Sequence, residues 1–307
     1  MPVPAATLSQ RVDYGVRVVT LATRMLAARL RRRPAAIAAL PSVPYNGMFS
    51  RARLPTLERQ RRALETFDLY LFDIMNSVRL EGEKVFEYGT LLHGIPEWRH
   101  RRVLDVGTGR STLPQWMAFQ GARVTPLDLD VPAEDRWGGF QVRVNDVVAR
   151  SAAPLAGVAA SMQALPFPDA SFDLVTSLSV VEHLDTDLPA RTYVPYDEQR
   201  RRLGRVLDEA IRVTAPGGCI YLTSECCDYE RAEVDTWRSA YYYIDGPALS
   251  AAWPVRDVRA LFYDYVHDRG CELVGGVQFD AALIDQPNSW SNRGPYFSGF
   301  SMLARKR

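Results

Sequence analysis

The stretch from Arg102 to Leu113, which reads RVLDVGTGRSTL, constrains the fold of this chain more than any other. A short β-branched run passes directly into two glycines two residues apart, and a helical pattern follows at once. Gly107 and Gly109 let the backbone turn tightly and approach a ligand, and the helix presents unpaired N–H groups at its N-terminus. The stretch predicts a strand, a turn and a helix that together bind a nucleotide. The carboxylate of Asp105 suits a ligand that has a positive amino group and ribose hydroxyls. It suits less well a ligand that would place an anionic pyrophosphate at this turn.

Strands and helices alternate from residue 103 onward. Hydrophobic patterning predicts strands over residues 103–106, 122–127, 158–160, 172–178, 219–223, 272–279 and 300–304. Helices are predicted over residues 113–120 and 198–213, and the aromatic, irregular region 224–260 is expected to be a lid-like insertion over the site. Such alternation predicts an α/β fold in which a parallel sheet is covered by helices on both faces.

The first 100 residues differ in character and are expected to form an N-terminal helical extension to a domain over residues 101–307. Residues 1–61 carry eleven arginines against Asp13 and Glu58, although the whole chain has a net charge of only +1. Over residues 8–33, apolar residues at helical spacing and arginines seven apart predict an amphipathic helix with an arginine stripe. The stripe is either a solvated face or a contact with anionic lipid or a phosphorylated substrate. Residues 34–55 are predicted to be a connector, and residues 57–80 a second helix.

Cysteine and hydropathy patterns exclude several classes of protein. Four cysteines, at 219, 226, 227 and 271, show neither a zinc-binding spacing nor a disulfide framework, so no metal is expected and a reducing cytoplasm fits. Arginines interrupt the apolar residues of the N-terminus, and no run of about 18 apolar residues occurs. The sequence therefore predicts a cytoplasmic protein, with a peripheral membrane contact left open.

Residues 101 to about 225 resemble a class I S-adenosylmethionine-dependent methyltransferase of the small-molecule type, similar to the methyltransferase-11 group. Three segments carry the resemblance in the family's order: the glycine turn at 103–109, the stretch MQALPFPDASFDLV at 162–175, and Pro-Gly-Gly at 216–218. Ser111 stands at the third glycine of the first motif. The resemblance implies S-adenosyl-L-methionine as cofactor and a doubly wound, Rossmann-like, mostly parallel seven-stranded sheet with an antiparallel last strand.

The resemblance also assigns residues to the cofactor. Asp128, at the end of the second strand, is expected to bind the two ribose hydroxyls. Residues just before Leu-Pro-Phe contact adenine in the family; Ser161 stands where an acid is common, and Met162 either packs on the ring or fills the core. The predicted cofactor set is Asp105, Gly107, Thr108, Gly109, Asp128, Ser161, Met162 and Ser177.

Methyl transfer from a sulfonium is an in-line displacement, so much of the catalysis lies in holding the acceptor against the methyl carbon with water excluded. A hydroxyl acceptor benefits from a base, and His183, after the fourth strand, is the first candidate. A role in orienting a loop or the cofactor remains open for it. Asp185 and Glu225, also past strand ends, are alternates. Trp237 and Tyr241–Tyr243 either line the acceptor pocket or pack within a lid. Glu87, Tyr88 and His93, ahead of the first strand, are candidates for contact with the cofactor or the acceptor.

These observations predict a methyltransferase that acts on a small-molecule or lipid- or sugar-linked acceptor, with O-methylation favoured. There are two alternatives: a nicotinamide-dependent Rossmann oxidoreductase, and a non-catalytic partner protein with the same fold. The partner protein is considered because Ser161 stands where the family commonly has an acid that binds adenine. DNA is not expected as a partner, because no Asn/Asp-Pro-Pro-Tyr stretch follows the fourth strand and the catalytic part is acidic. The basic N-terminus leaves RNA open, and a homodimer is also left open.

Overall fold

The computed structural model describes residues 46–49, 83–95, 97–108, 113–119, 121–129, 155, 157–187, 192–228, 252–279 and 297–307. Several predictions lie outside these residues: the arginine-striped helix, the second N-terminal helix, Gly109, Ser111, and the aromatic residues Trp237 and Tyr241–Tyr243. Within the described part of the chain, no helix is long and apolar enough to cross a membrane.

The elements follow the predicted alternation. The strands are β1 (Asn46–Met48), β2 (Arg102–Val106), β3 (Arg123–Asp128), β4 (Val158–Ala159), β5 (Phe172–Leu178), β6 (Thr186–Asp187), β7 (Thr192–Tyr193), β8 (Thr214–Cys227), β9 (Trp253–Pro254), β10 (Cys271–Leu273), β11 (Val277–Gln278) and β12 (Phe297–Lys306). The helices are α1 (Glu83–Gly94), α2 (Leu113–Phe119), α3 (Tyr196–Val213), α4 (Val255–Val258) and α5 (Tyr265–Asp268). A 3₁₀ turn covers Val181–Asp185, and a π-helical turn, Arg259–Asp264, joins α4 to α5.

One mixed sheet organises the molecule. Its central order is β4, β3, β2, β5, β8 and β12. The first five strands are parallel to their neighbours, whereas β12 runs antiparallel to β8. The predicted α/β class, with a mostly parallel sheet and an antiparallel last strand, is therefore confirmed. β2 and β5 are parallel neighbours in the middle of the sheet, so their carboxyl ends lie at the same edge. Ligands bind at this edge in such folds.

Ten strands rather than seven form this sheet within the described residues. The edge strand predicted over 272–279 is split into β10 and β11, because the chain turns away from β12 at Gly275 and Gly276, both with positive φ. β1 fills the gap, running antiparallel to β12 and parallel to β11. Short β9 adds to β8. The sequence predicted a connector where β1 lies, because three residues are too few to show a strand period.

The side chain of Asn46 closes the gap between the split strands. Its Nδ2 donates to the carbonyls of Val274 (2.7 Å) and Gly276 (3.0 Å), and its Oδ1 accepts from the amide of Leu303 (2.6 Å). Asn46 is fully buried, so these bonds satisfy backbone groups that would otherwise lack a ladder partner. A segment far from the domain in sequence thus becomes part of its sheet.

Helices cover both faces of the sheet, as a parallel sheet requires. α3 is amphipathic and packs its apolar residues, among them Leu203 and Leu207, against one face. α1 and α2 cover the other face, where Phe86 and Leu91 pack with Val103, Leu174 and Tyr221. The aromatic ring of Phe49, just after β1, stacks on Phe86 at 4.9 Å between centroids. The N-terminal part is therefore joined to the domain by both a strand and a helix.

The structure extends the predicted fifth strand in both directions. β8 begins at Thr214 opposite Phe172, and its register shifts so that Cys219 lies opposite Leu174. The intervening Pro-Gly-Gly is therefore a bulge inside the strand rather than a turn before it. A Cβ on Gly218 would lie 2.8 Å from the carbonyl oxygen of Ala215, which explains the glycine. β8 continues to Cys227, so the region predicted as an insertion over 224–260 begins and ends in ordered elements, β8, β9 and α4.

Candidate functional site

The turn after β2 is built as the glycine pattern predicted. Gly107 has a φ of +70°, a backbone conformation that residues other than glycine rarely adopt. The amides of Gly107 and Thr108 donate to the carbonyl of Leu127 at 2.7 and 3.1 Å, which fixes the turn to the end of β3. A Cβ on Gly107 would lie 2.3 Å from Cγ1 of Val180, which follows β5. The turn therefore fits closely between the ends of two strands.

Asp105 is the charged group at this turn. Its side chain is buried, and it accepts hydrogen bonds from Thr176 Oγ1 at 2.6 Å and Thr108 Oγ1 at 3.0 Å. Burial raises the pKa of Asp105 to about 6, and the nearby charge of Asp128 adds to the rise, although both threonine bonds oppose it. A carboxylate held in this way gains strongly from a cationic partner.

Asp128 ends β3 beside the segment predicted to bind adenine. Its Oδ1 accepts from the amide of Leu129 at 2.7 Å, and its carbonyl accepts from the amide of Ala160 at 2.9 Å. The structure thus brings the predicted ribose-binding acid next to the start of the Ser161–Asp169 segment. Gly109, the remaining predicted glycine, lies outside the described residues.

α3 holds the predicted adenine segment in place. The amide of Leu165 donates to Glu209 Oε2 at 2.6 Å. The guanidinium of Arg212 donates to the carbonyls of Leu165 at 3.0 Å and Phe167 at 2.8 Å. The hydroxyl of Ser161 accepts from the amide of Gln163 at 3.2 Å, which stabilises a local turn. Its predicted contact with adenine stays a prediction.

Met162 is half-buried and packs against the core cluster that also contains Leu104 and Val106. Ser177, on β5, is buried, and among the described residues its hydroxyl has no hydrogen-bond partner. Met162 follows β4 and Ser177 lies near the end of β5, so both are at the carboxyl edge of the sheet. Whether they contact a cofactor stays a prediction, because the packing of Met162 alone agrees with either role.

The predicted bases lie on or beside the 3₁₀ turn that follows β5 and at the end of β8. His183 is exposed, whereas Asp185 on the same turn is buried. Glu225 is also buried and lies opposite Gly299 of β12. The structure therefore gathers all three at the carboxyl edge of the sheet but places only His183 in contact with solvent.

The structure adds site residues that sequence reasoning missed. Glu182 is buried within the same turn and accepts a hydrogen bond from Ser224 Oγ, at the end of β8, at 2.7 Å. Ser179 has a positive φ of +53°, and its hydroxyl donates to the carboxylate of Glu87 on α1. No residue pattern signals these contacts, because each joins side chains from distant parts of the sequence. Tyr88, the neighbour of Glu87, is buried in the α1 core, which gives it a packing role.

Acidic side chains dominate the buried charge of this edge. The buried carboxylates are Glu87, Asp105, Glu182, Asp185 and Glu225. Among the residues whose burial the structure describes, no lysine, arginine or histidine is buried. Burial disfavours the ionised form of Asp105 and raises its pKa, so a ligand with positive charge would be favourable beside this carboxylate. The sulfonium and amino groups of S-adenosylmethionine carry such a charge.

Sequence comparisons match the central part of this chain to known methyltransferases. A family model described as a methyltransferase domain matches residues 104–222. The malonyl-[acyl-carrier protein] O-methyltransferase of Pseudescherichia vulneris is 31% identical over 134 residues, which are 44% of this chain and 43% of that protein. The chain thus spans less than half the length of this curated relative.

Two of the solved structures that match part of this chain have low sequence identity to it and TM-scores below 0.5. A S-adenosylmethionine-dependent methyltransferase from Methanosarcina mazei is 17% identical, with 70% of this chain and 96% of that chain covered and a TM-score of 0.45. One from Mesorhizobium loti is 18% identical, with 72% and 97% covered and a TM-score of 0.45.

Proposed function

We propose that this chain, whose residues 104–222 match a model of a methyltransferase domain, is a class I S-adenosylmethionine-dependent methyltransferase that transfers a methyl group to an oxygen of a small-molecule or lipid- or sugar-linked acceptor. The family implies S-adenosyl-L-methionine as the cofactor. The observation that carries the proposal is the buried Asp105 carboxylate beside the Gly107 turn.

The residues at the sheet edge fit this cofactor. Asp105 and the Gly107 turn would hold its amino acid part, and Asp128 would bind the ribose hydroxyls. The segment that begins at Ser161 would hold adenine, with Met162 against the ring. When bound, the cofactor supplies a methyl group made electrophilic by the sulfonium. The protein's part is to orient the acceptor and to exclude water.

The acceptor would approach the ends of β5 and β8. His183 is the candidate for taking a proton from a hydroxyl acceptor, because its imidazole is exposed and could pass that proton to water. Asp185 and Glu225 remain alternates in this proposal. Support for an oxygen acceptor comes from the similarity to a relative that is named as an O-methyltransferase.

Calorimetry on the purified full chain tests the proposal first. We expect S-adenosylhomocysteine to bind and NAD not to bind; binding of NAD alone would favour the oxidoreductase instead. Transfer of tritiated methyl groups to extract fractions then identifies the acceptor class. Binding of S-adenosylhomocysteine without transfer to any fraction would favour a non-catalytic partner protein.

The arginines of residues 1–61 support a second part of the proposal, in which the N-terminus of a cytoplasmic enzyme contacts anionic lipid or a phosphorylated substrate. Deletion of residues 1–33 is expected to reduce association with vesicles that contain phosphatidylglycerol. An unchanged binding curve would contradict a lipid contact.

A further inference from the structure

We propose that Glu87, on α1, is a positioning residue that fixes the glycine turn through Ser179 and Val180. The inference rests on the proposed function in one respect: the turn is taken to bind the cofactor. The connection runs from a helix outside the strand–turn–helix unit, across the end of β5, to the backbone of Gly107. Each step is a contact between described residues.

Glu87 is held firmly at one end of this connection. Its side chain is buried, and its carbonyl accepts a hydrogen bond from the hydroxyl of Tyr221, on β8, at 2.8 Å. Phe86 and Leu91 on the same helix are fully buried in the core below. Because the helix is anchored through both backbone and core, the Glu87 carboxylate has a fixed position relative to the sheet.

Ser179 is the middle of the connection. Its φ of +53° is uncommon for a residue other than glycine, and such conformations persist only when the surroundings enforce them. The amide of Ser179 donates to Thr223, both to the carbonyl (3.1 Å) and to Oγ1 (3.2 Å). Its hydroxyl donates to the carboxylate of Glu87. The backbone bonds and the side-chain bond together hold the left-handed conformation.

The next residue transmits this position to the glycine turn. Val180 occupies the space where a Cβ of Gly107 would lie, with Cγ1 only 2.3 Å from that point. The direction of Val180 is set by the backbone of Ser179, because the two residues are adjacent. Loss of the Glu87 bond would let Ser179 return to a favoured conformation and move Val180 away from Gly107. The turn beside Asp105 would then lose its close packing.

A packing role alone does not explain a carboxylate at residue 87. An apolar side chain would join the same core, in which Phe86 and Leu91 already lie, without the desolvation cost of a buried charge. The carboxylate instead accepts a bond from a strand end next to the glycine turn. This placement favours a role in positioning over one in stability.

The test compares four full-length proteins: wild type, Glu87→Leu, Glu87→Gln and Thr90→Val. Glu87→Gln keeps an acceptor oxygen for Ser179 but removes the charge. Thr90→Val is the matched control, because Thr90 is equally buried one turn along α1 and its hydroxyl has no hydrogen-bond partner among the described residues. Calorimetry measures the affinity for S-adenosylhomocysteine, and hydrogen exchange measures the opening of the peptide 103–108.

We expect Glu87→Leu to weaken the affinity for S-adenosylhomocysteine by about tenfold, the effect of losing one hydrogen bond to a charged group. Exchange of the 103–108 peptide should become faster in the same variant. In Glu87→Gln, the affinity and the exchange rate should both stay within about threefold of wild type, because a neutral amide acceptor makes a somewhat weaker bond. Thr90→Val should match wild type in both.

Three results would overturn the inference: unchanged exchange of the 103–108 peptide in Glu87→Leu, an equal effect in Thr90→Val, or a loss of affinity in Glu87→Gln as large as in Glu87→Leu. The last would mean that the charge contacts the ligand directly. If wild type fails to bind S-adenosylhomocysteine while Glu87→Leu still accelerates exchange, the connection holds and the proposed function falls.

Discussion

Replacement of Asp105 by asparagine should stabilise the protein without ligand while it weakens ligand binding. The pKa of Asp105 is raised from an ordinary value of 3.8 to about 6 by burial. The folded state therefore binds this proton more tightly than the unfolded state does. Its contribution to the free energy of unfolding is fully present below pH 3.8 and is lost as the pH rises to about 6.

The magnitude follows from this difference. At about 1.4 kcal/mol for each pKa unit, ionised Asp105 costs the folded state about 3 kcal/mol above pH 6. Asparagine is neutral at every pH and has nearly the same shape. Its Oδ1 still accepts from Thr176, and its Nδ2 can donate to Thr108, whose hydroxyl also lies 3.0 Å from the carbonyl of residue 105. We therefore expect Asp105→Asn to be more stable than wild type at pH 8 by up to about 3 kcal/mol.

Urea unfolding at pH 8 and pH 4 measures this effect, and the difference between the two proteins isolates the one group. That difference should be large at pH 8 and nearly absent at pH 4. The affinity for S-adenosylhomocysteine should change in the opposite direction, by about 10- to 100-fold, because a charge-assisted hydrogen bond is lost. In wild type the same affinity should fall as the pH drops below about 6.

Asp128→Asn is the control, because Asp128 is a predicted ligand that is only half-buried. It should weaken binding with a much smaller gain in stability, because it removes only the minor repulsion that Asp128 exerts on Asp105. The reasoning would be refuted if Asp105→Asn were less stable than wild type at pH 8, or if it bound S-adenosylhomocysteine as tightly as wild type does.

Other expected outcomes test the surroundings of the site. Gly107→Ala should lower the free energy of unfolding by about 1–3 kcal/mol in urea, because a Cβ would meet Val180 at a positive φ; a change below about 0.5 kcal/mol would contradict this close contact. Arg212→Ala should weaken S-adenosylhomocysteine binding about fivefold in calorimetry, because the bonds of Arg212 hold the segment predicted to bind adenine. The same effect in the exposed control variant Arg201→Ala would contradict this prediction. Asn46→Ala should cost about 2–4 kcal/mol of stability in the same urea assay through three lost buried bonds, and a neutral result would mean that water replaces them.

The sequence predicted what local pattern and chain order determine. β5 was predicted with its observed bounds, because a short apolar run lies between clear turn residues. The sheet class and the antiparallel last strand followed from alternation and from the resemblance. The glycine turn followed from residue types alone, because only glycine adopts its backbone conformation readily.

Contacts between distant residues escaped prediction. The pairing of Glu87 with Ser179 and that of Glu182 with Ser224 depend on how helices and strand ends meet, which no spacing in the sequence records. The bulge in β8 was read as a turn, because Pro-Gly-Gly normally ends an element. The exposure of His183 beside buried neighbours depends on the 3₁₀ turn, whose period differs from that of a helix.

The Asn46 junction also bears on the order in which the chain can reach its final form. The bond from Asn46 to Leu303 joins residues 257 positions apart, so it belongs to the slowest class of contact to form. During translation, β1 leaves the ribosome long before either of its neighbours, β11 and β12, has been made, and only β12 connects it to the rest of the sheet. Completion of the sheet edge is thus coupled to synthesis of the β12 segment. A ribosome that stalls before that point would release a chain whose β1 strand cannot pair with β12. The unpaired backbone of β1 would be exposed, so such a chain should be susceptible to proteolysis.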